Sequence, residues 1–249
     1  MKFIGQAKRL ISLVLGRERA VYPVEASERD MQCLQLCIPF TMTSIERLYA
    51  TLSSVKYVVN NRVPGAFVEC GVWRGGSSMV MAKTLIDLNE VERELYLFDT
   101  FEGMTEPTEL DRDSSGRTAK SQLDRSEKKE GGGIWCVASI EDVRSNLLST
   151  GYPEERLHLI KGDVAKTLRD RSKIPEEISL LRLDTDWYES TKIELEALFP
   201  RLVKGGVCLI DDYGHWQGSR KALDEYLAEQ QLFPLIHVTD YTGRAFIKN

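Results

Sequence analysis

Five apolar stretches of this chain each end in, or run directly into, a carboxylate. AFVEC carries Glu69, ELYLFD ends on Asp99, and LHLIK leads to Gly162-Asp163. ISLLRLD ends on Asp184, with Asp186 two residues on, and GVCLID ends on Asp211-Asp212. Acidic residues at strand ends are common singly, but five out of five calls for more than solvation. Asp184, Asp211 and Asp212 are hard oxygen donors with no His or Cys beside them in the pattern. Mg²⁺ is the natural ion for such a set, with Mn²⁺ or Ca²⁺ next. Each Asp could instead cap a helix, and Asp186 is well placed to do so. The adjacent pair Asp211-Asp212, directly after an apolar strand, leaves a charge that a cation would balance.

The first carboxylate sits in a glycine turn containing Gly71, Gly75, Gly76 and Ser77. Such a turn lets backbone approach a ligand, and the helix after it offers free N–H groups. Asp99 follows Gly71 by 28 residues, at the end of the next strand. That is the place for a carboxylate that accepts hydrogen bonds from ribose hydroxyls. Glu69 would repel a pyrophosphate but suits a cationic ligand. S-adenosylmethionine (SAM) carries an ammonium and a sulfonium and no phosphate, so the charge pattern favours SAM over a dinucleotide.

The elements that must position these residues alternate. Helical periodicity runs from Met42 to Val59 through Ile45, Leu48, Leu52 and Val55. Pro64-Gly65 breaks the chain before a strand at 66–70, followed by a helix from about Ser77 to Asn89. Strands follow at 94–99, 157–161, 178–184 and 206–211, with helices at 137–148, 164–171, 190–199 and 219–230. Leu235–Val238 and Arg244–Lys248 around a turn read as an antiparallel hairpin. Five strands alternating with helices predict an α/β fold with a mostly parallel sheet covered on both faces. Ligands then lie outside the carboxyl ends of the strands. Residues 105–133 form a long polar tract ending in three glycines, which predicts a structureless stretch: a mobile lid on the rim or a disordered linker.

Composition sets the outer bounds. The 249 residues suffice for one sizeable domain, and 33 basic against 38 acidic residues give a formal charge of −5. That balance argues against a nucleic-acid partner. Cys33, Cys37, Cys70, Cys136 and Cys208 make an odd count without zinc-type pairing, as expected of reduced thiols in a cytoplasmic protein. No apolar run is long enough for a transmembrane segment. Residues Phe3, Ile4, Ala7, Leu10, Ile11, Val14 and Leu15 recur at helical spacing among Lys2, Lys8, Arg9, Arg17 and Arg19. This N-terminal amphipathic helix is expected to pack on its own domain or on a partner subunit, with peripheral membrane contact the lesser alternative.

The blocks PFTMTSIERLYATLSSVKYVV, FVECGVWRGGSS, LYLFDTFEGMTEPT, LHLIKGDVAKTL, LLRLDTDWYEST and GGVCLIDDYGHWQGSRKALDEY together resemble the macrocin O-methyltransferase family, from Pro39 onward. The resemblance implies a Rossmann-like class I methyltransferase domain over 39–249, with a seven-stranded sheet whose last strand is antiparallel, after a 1–38 lead-in. It implies a small-molecule sugar or glycoside acceptor and a homo-oligomer. By that likeness Glu69, Gly71, Gly75 and Ser77 hold the methionine end of SAM and Asp99 meets the ribose. Asp163 binds the adenine amine, Ser139 lies near the ring, and Thr41 and Met42 close over the cofactor. Asp184, Asp211 and Asp212 match the metal aspartates and Asp186 the general base, with His215 as the competing base. A phenolic, catechol-like acceptor is the alternative within the same chemistry. Intact aspartates argue against a non-catalytic SAM-binding module. Tyr188 and Lys192 fit the Tyr-x-x-x-Lys of short-chain dehydrogenases. Pro175, however, stands where that family has its Ser, and Ser77 takes the last glycine place.

Overall fold

The computed structural model describes residues 21–249, so the N-terminal amphipathic pattern lies outside the described residues. Two helices lead in: α1 (Glu28–Cys37) and α2 (Ile45–Asn60). Both start where a serine can cap them. Ser27 and Asp30 form a reciprocal capping box, and Ser44 accepts the amide of Arg47. There follow β1 (Ala66–Cys70), α3 (Gly76–Asp87), β2 (Leu95–Asp99), α4 (Ala119–Leu123), α5 (Ile140–Leu148), β3 (Leu157–Lys161), α6 (Val164–Thr167), β4 (Ile178–Leu183), α7 (Tyr188–Leu198), β5 (Leu202–Ile210) and α8 (Gln217–Glu229). The chain closes on β6 (His237–Val238) and β7 (Arg244–Ile247).

The strands form one seven-stranded sheet in the order β3-β2-β1-β4-β5-β7-β6. The first five are parallel, while β7 runs antiparallel to β5 and β6 antiparallel to β7. The chain reverses its direction of travel across the sheet between β1 and β4, where such folds place their ligands. Strand β5 begins earlier than the expected residue 206. Gly205 and Gly206 lie inside the strand, at an irregularity in its pairing with β4, rather than at its boundary.

Side chains alternate across the sheet. Phe67, Leu97, Leu180, Val207 and Leu209 pack on the face covered by α1, α2, α3 and α5. Val68, Cys70, Phe98, Leu181, Leu183, Cys208 and Ile210 pack on the face covered by α6, α7 and α8. The same alternation puts Glu69 and Arg182 on the α2 face. They are register partners on β1 and β4, and Arg182 is in turn opposite Leu209.

The polar tract is not structureless. It contains α4 and short bridges, Arg112 to Thr118 and Asp113 to Trp216. Ala119 and Leu123 bury against Trp187 and Trp216, with Met104, Ile134 and Trp135 around them. Asp111, wholly buried, accepts the amide of Tyr188 at 2.7 Å, so the tract caps α7. Asp113, also buried, accepts from Ser115, Arg117 and Gln122, and these donors hold its carboxyl well below its usual range. What a hydropathy reading takes for an uncommitted loop is folded by buried carboxylates and two tryptophans that lie elsewhere in the chain.

All five cysteines are free thiols. None of the described helices is long and apolar enough to cross a membrane.

Candidate active site

A cavity of about 380 Å³ opens at the carboxyl ends of β1, β2, β4 and β5. One end is the glycine turn after β1. Gly71 has φ +80°, and a Cβ there would overlap the carbonyl oxygen of Asp184, so only glycine lets the turn lie against the end of β4. Gly75 has φ +90° and stands at the N-cap of α3. Asp99 fastens this turn. One of its oxygens accepts Val72 N at 2.6 Å and Trp73 N at 3.1 Å, and the other accepts Phe101 N at 2.7 Å. Asp163 lines the cavity while capping α6 through Ala165 N.

The other end is built around two arginines. Arg182, 2% exposed, reaches Glu69 at 2.7 Å, Asp184 at 2.7 Å, Asp211 at 2.5 Å and Thr43 at 3.2 Å. Arg47, from the first turn of α2, pairs with the other oxygen of Asp211 and with Asp240. Both oxygens of Asp211 are therefore committed to guanidinium groups. Glu69 is likewise committed, to Arg182 and to the hydroxyl of Ser78.

Asp184, Asp186 and Asp212 each offer an oxygen within 4.8 Å of the others. Asp186 stands at the apex of a tight turn. Its φ is +66°, and Trp187 N donates across it to Thr185 O at 2.7 Å, the three-residue spacing of a γ-turn. A non-glycine residue held there stores about 1–3 kcal/mol of strain, which persists only where the surroundings enforce it. Burial pushes the Asp186 carboxyl up to about 7, with the charges of Asp184 and Asp211 adding to it. Asp212 rises well above its usual range for the same reasons, and its buried Oδ2 has no hydrogen-bond partner among the described residues.

His215 follows on the same rim. Its Nδ1 meets the Tyr241 hydroxyl at 3.0 Å, and burial lowers its pKa, so the ring is neutral near pH 7.

Twelve of the fourteen expected site residues line this one cavity: Thr41, Met42, Glu69, Gly71, Ser77, Asp99, Asp163, Asp184, Asp186, Asp211, Asp212 and His215. Gly75 and Ser139 do not. Gly75 shapes the entry to α3, and Ser139 caps α5 by accepting Asp142 N. Within the aspartates the structure changes the grouping. Asp211, expected as a metal ligand, has both oxygens on arginines, and Asp186, expected as the general base, has an oxygen within 4.8 Å of those of Asp184 and Asp212. Tyr188 and Lys192, the dehydrogenase-like pair, lie outside the cavity, with the Tyr188 hydroxyl donating to Glu225 at 2.7 Å. Arg182 and Arg47 escaped the reading by residue type. Arg182 did leave a signal, because a lone charge in the apolar run ISLLRLD must find a buried partner.

Comparison with known proteins gives a consistent family. A family model described as Macrocin-O-methyltransferase (TylF) matches residues 16–248. The chain is 34% identical over 206 residues to an 8-demethyl-8-(2,3-dimethoxy-alpha-L-rhamnosyl)-tetracenomycin-C 4'-O-methyltransferase of Streptomyces olivaceus, covering 83% of this chain and 74% of that protein. It is 32% identical over 203 residues to a demethyldecarbamoylnovobiocin O-methyltransferase of Streptomyces niveus, covering 82% and 73%. Among solved structures, the O-methyltransferase NovP superposes with a TM-score of 0.70 at 28% identity, covering 84% of this chain and 82% of that one.

Proposed function

The chain belongs to the macrocin O-methyltransferase family and is a SAM-dependent O-methyltransferase, and from that premise we propose that its acceptor is a sugar hydroxyl and its metal Mg²⁺. The observation that carries this reading is the union, in one cavity, of the glycine turn and the aspartate cluster. A methyl donor held at the first end and a polyol at the second would be aligned for in-line displacement. The rhamnosyl group in the name of the Streptomyces olivaceus relative favours a sugar over a phenol.

The donor set fits a divalent cation. Five carboxylates (Glu69, Asp184, Asp186, Asp211 and Asp212) meet at this end, and Arg47 and Arg182 provide the positive charge. The unpartnered oxygen of Asp212 lies among them. Asp184, Asp186 and Asp212 would hold the ion. Bound there, Mg²⁺ lowers the pKa of a hydroxyl it coordinates and fixes that hydroxyl's direction.

The chain's own residues do the rest. Ser77, Asp99 and Asp163, with Thr41 and Met42 lining the same cavity, bind and orient SAM, while Glu69 is held by Arg182 and Ser78. Arg182 and Arg47 fix Asp211 and so anchor the end of β5. With Asp186 in the donor set, the proton of the acceptor goes to His215 Nε2, the free ring nitrogen of the tautomer whose Nδ1–H donates to the Tyr241 hydroxyl oxygen.

The test is methyl transfer from radiolabelled SAM, with Mg²⁺ or with chelator, to TDP-rhamnose, methyl rhamnoside and catechol. Labelled sugar, lost with the chelator, is the expected result. Labelled catechol with unlabelled sugars would overturn the acceptor assignment. His215→Gln is expected to lower kcat by about 10²-fold or more while leaving SAM affinity unchanged. An unchanged kcat would return the base role to Asp186.

A further inference from the structure

Beneath the turn that carries Asp186 lies a carboxyl group that no step above uses. Glu194, on α7, is completely buried. One of its oxygens accepts the Thr185 hydroxyl at 3.1 Å, and the other has no hydrogen-bond partner among the described residues. Among the described residues no ion pair reaches it: the arginines of the site are committed to Glu69, Asp184, Asp211 and Asp240. An acid buried without a cation is an expensive way to fill space, and a leucine would pack there at lower cost.

Thr185 is the residue between Asp184 and Asp186. Its carbonyl accepts Trp187 N at 2.7 Å and the Ser190 hydroxyl at 3.3 Å, and its own hydroxyl is given to Glu194. Three of the polar contacts at the turn therefore pass through Thr185, while Trp187 on its far side is held by the Ser190 hydroxyl at its carbonyl and by Thr105 at its indole N–H. On the neighbouring strand end, Gly71 packs against the Asp184 carbonyl and leaves no room for the turn to shift that way. The left-handed backbone at Asp186 has to be enforced from somewhere. Glu194 is the buried group that holds the side chain beside it.

We propose that Glu194 is a positioning residue: through the Thr185 hydroxyl it clamps the strained turn that presents Asp186 to Asp184 and Asp212. The inference rests on the assignment of those three aspartates to a divalent cation, and it acts through hydrogen bonding rather than charge. Partners that orient metal ligands typically change metal affinity by about 10–100-fold when removed.

The test is Mn²⁺ binding to the full chain, followed by the electron paramagnetic resonance signal of the free ion, with affinity for S-adenosylhomocysteine measured alongside by calorimetry. Glu194→Leu and Thr185→Val are each expected to weaken Mn²⁺ binding by about tenfold or more, with S-adenosylhomocysteine affinity unchanged. Glu194→Gln keeps an oxygen for the Thr185 hydroxyl and is expected to bind Mn²⁺ within about threefold of wild type, since the hydrogen bond that holds Thr185 is kept. The Glu194→Leu, Thr185→Val double variant should be no weaker than either single one. Wild-type Mn²⁺ affinity in both single variants would overturn the proposal, as would a Gln variant as weak as the Leu variant. Should the Leu variant fail to fold, Thr185→Val carries the test alone. A wild-type chain that binds no Mn²⁺ would remove the cation assignment, and a crystal structure of Thr185→Val then decides the clamp. Loss of the positive φ at Asp186 supports it, and retention of that φ overturns it.

Discussion

At the scale of residues, two buried groups face opposite demands: the Arg182 guanidinium, surrounded by carboxylates, and the Glu194 carboxyl, which no cation meets among the described residues. Arg182 satisfies Glu69, Asp184 and Asp211 together, so its removal strands the buried carboxylates of Glu69 and Asp211. Arg182→Met is expected to cost about 3–5 kcal/mol of folding stability, read from urea unfolding. A loss under about 1 kcal/mol would mean that the carboxylates take up protons instead. Glu194 gives the opposite sign of pH dependence from a salt-bridged acid. Burial holds its carboxyl well above the usual range, so the folded chain keeps a proton that the unfolded chain releases near pH ~4.3. Above that pH, unfolding releases the proton, and wild type loses stability as the pH rises, by up to about 1.4 kcal/mol per pH unit until the folded-state pKa is reached. Glu194→Gln lacks this proton. The stability of wild type relative to Glu194→Gln should therefore fall between about pH 5 and pH 7, and a flat difference would mean that Glu194 is ionised when folded.

The elements divide into those whose signal is local and those built from distant partners. Strands β1 and β3 were legible to the residue: β1 is a buried, mainly apolar run between Gly65 and Gly71, and β3 a partly exposed edge strand whose short apolar run ends before Gly162. Helices shifted by a turn or less at their ends, where a cap rather than periodicity decides. The tract at 105–133 was misread because its order comes from Asp111 and Asp113 and from Trp187 and Trp216, which no local pattern links to it. This changes the experiment it invites. Removing residues 111–128 would also take away the cap of α7 and disturb the turn at Asp186. Residues 124–130 are exposed throughout, whereas Gln122, Ile134 and Cys136 reach the cavity. Replacing 124–130 with a short glycine linker should leave S-adenosylhomocysteine affinity within about threefold while shifting acceptor preference, because exposed loops tolerate change and line binding sites. Loss of cofactor affinity would show that the tract supports the cofactor end as well.

At the scale of the whole molecule, the sheet order converts five separate strand ends into one electrostatic object. Each carboxylate was legible in sequence, but their grouping was not. It depends on β1 lying beside β4, on β4 lying beside β5, and on α2 delivering Arg47 from residues that show no chemical signal of their own. The result is a negatively charged cavity floor whose repulsion is only partly offset by two arginines. A bound cation would remove part of that repulsion in the folded state alone, since the aspartates are scattered in the unfolded chain. Thermal stability should therefore rise with MgCl₂ relative to NaCl at matched ionic strength, by about 2.7 kcal/mol at a hundredfold excess over Kd. Asp212→Asn takes a carboxylate oxygen out of the donor set and should abolish the increment. An equal MgCl₂ increment in Asp212→Asn would place the ion elsewhere. No increment in wild type would mean that protons held by Asp186 and Asp212, with the two arginines, balance the cavity without a metal.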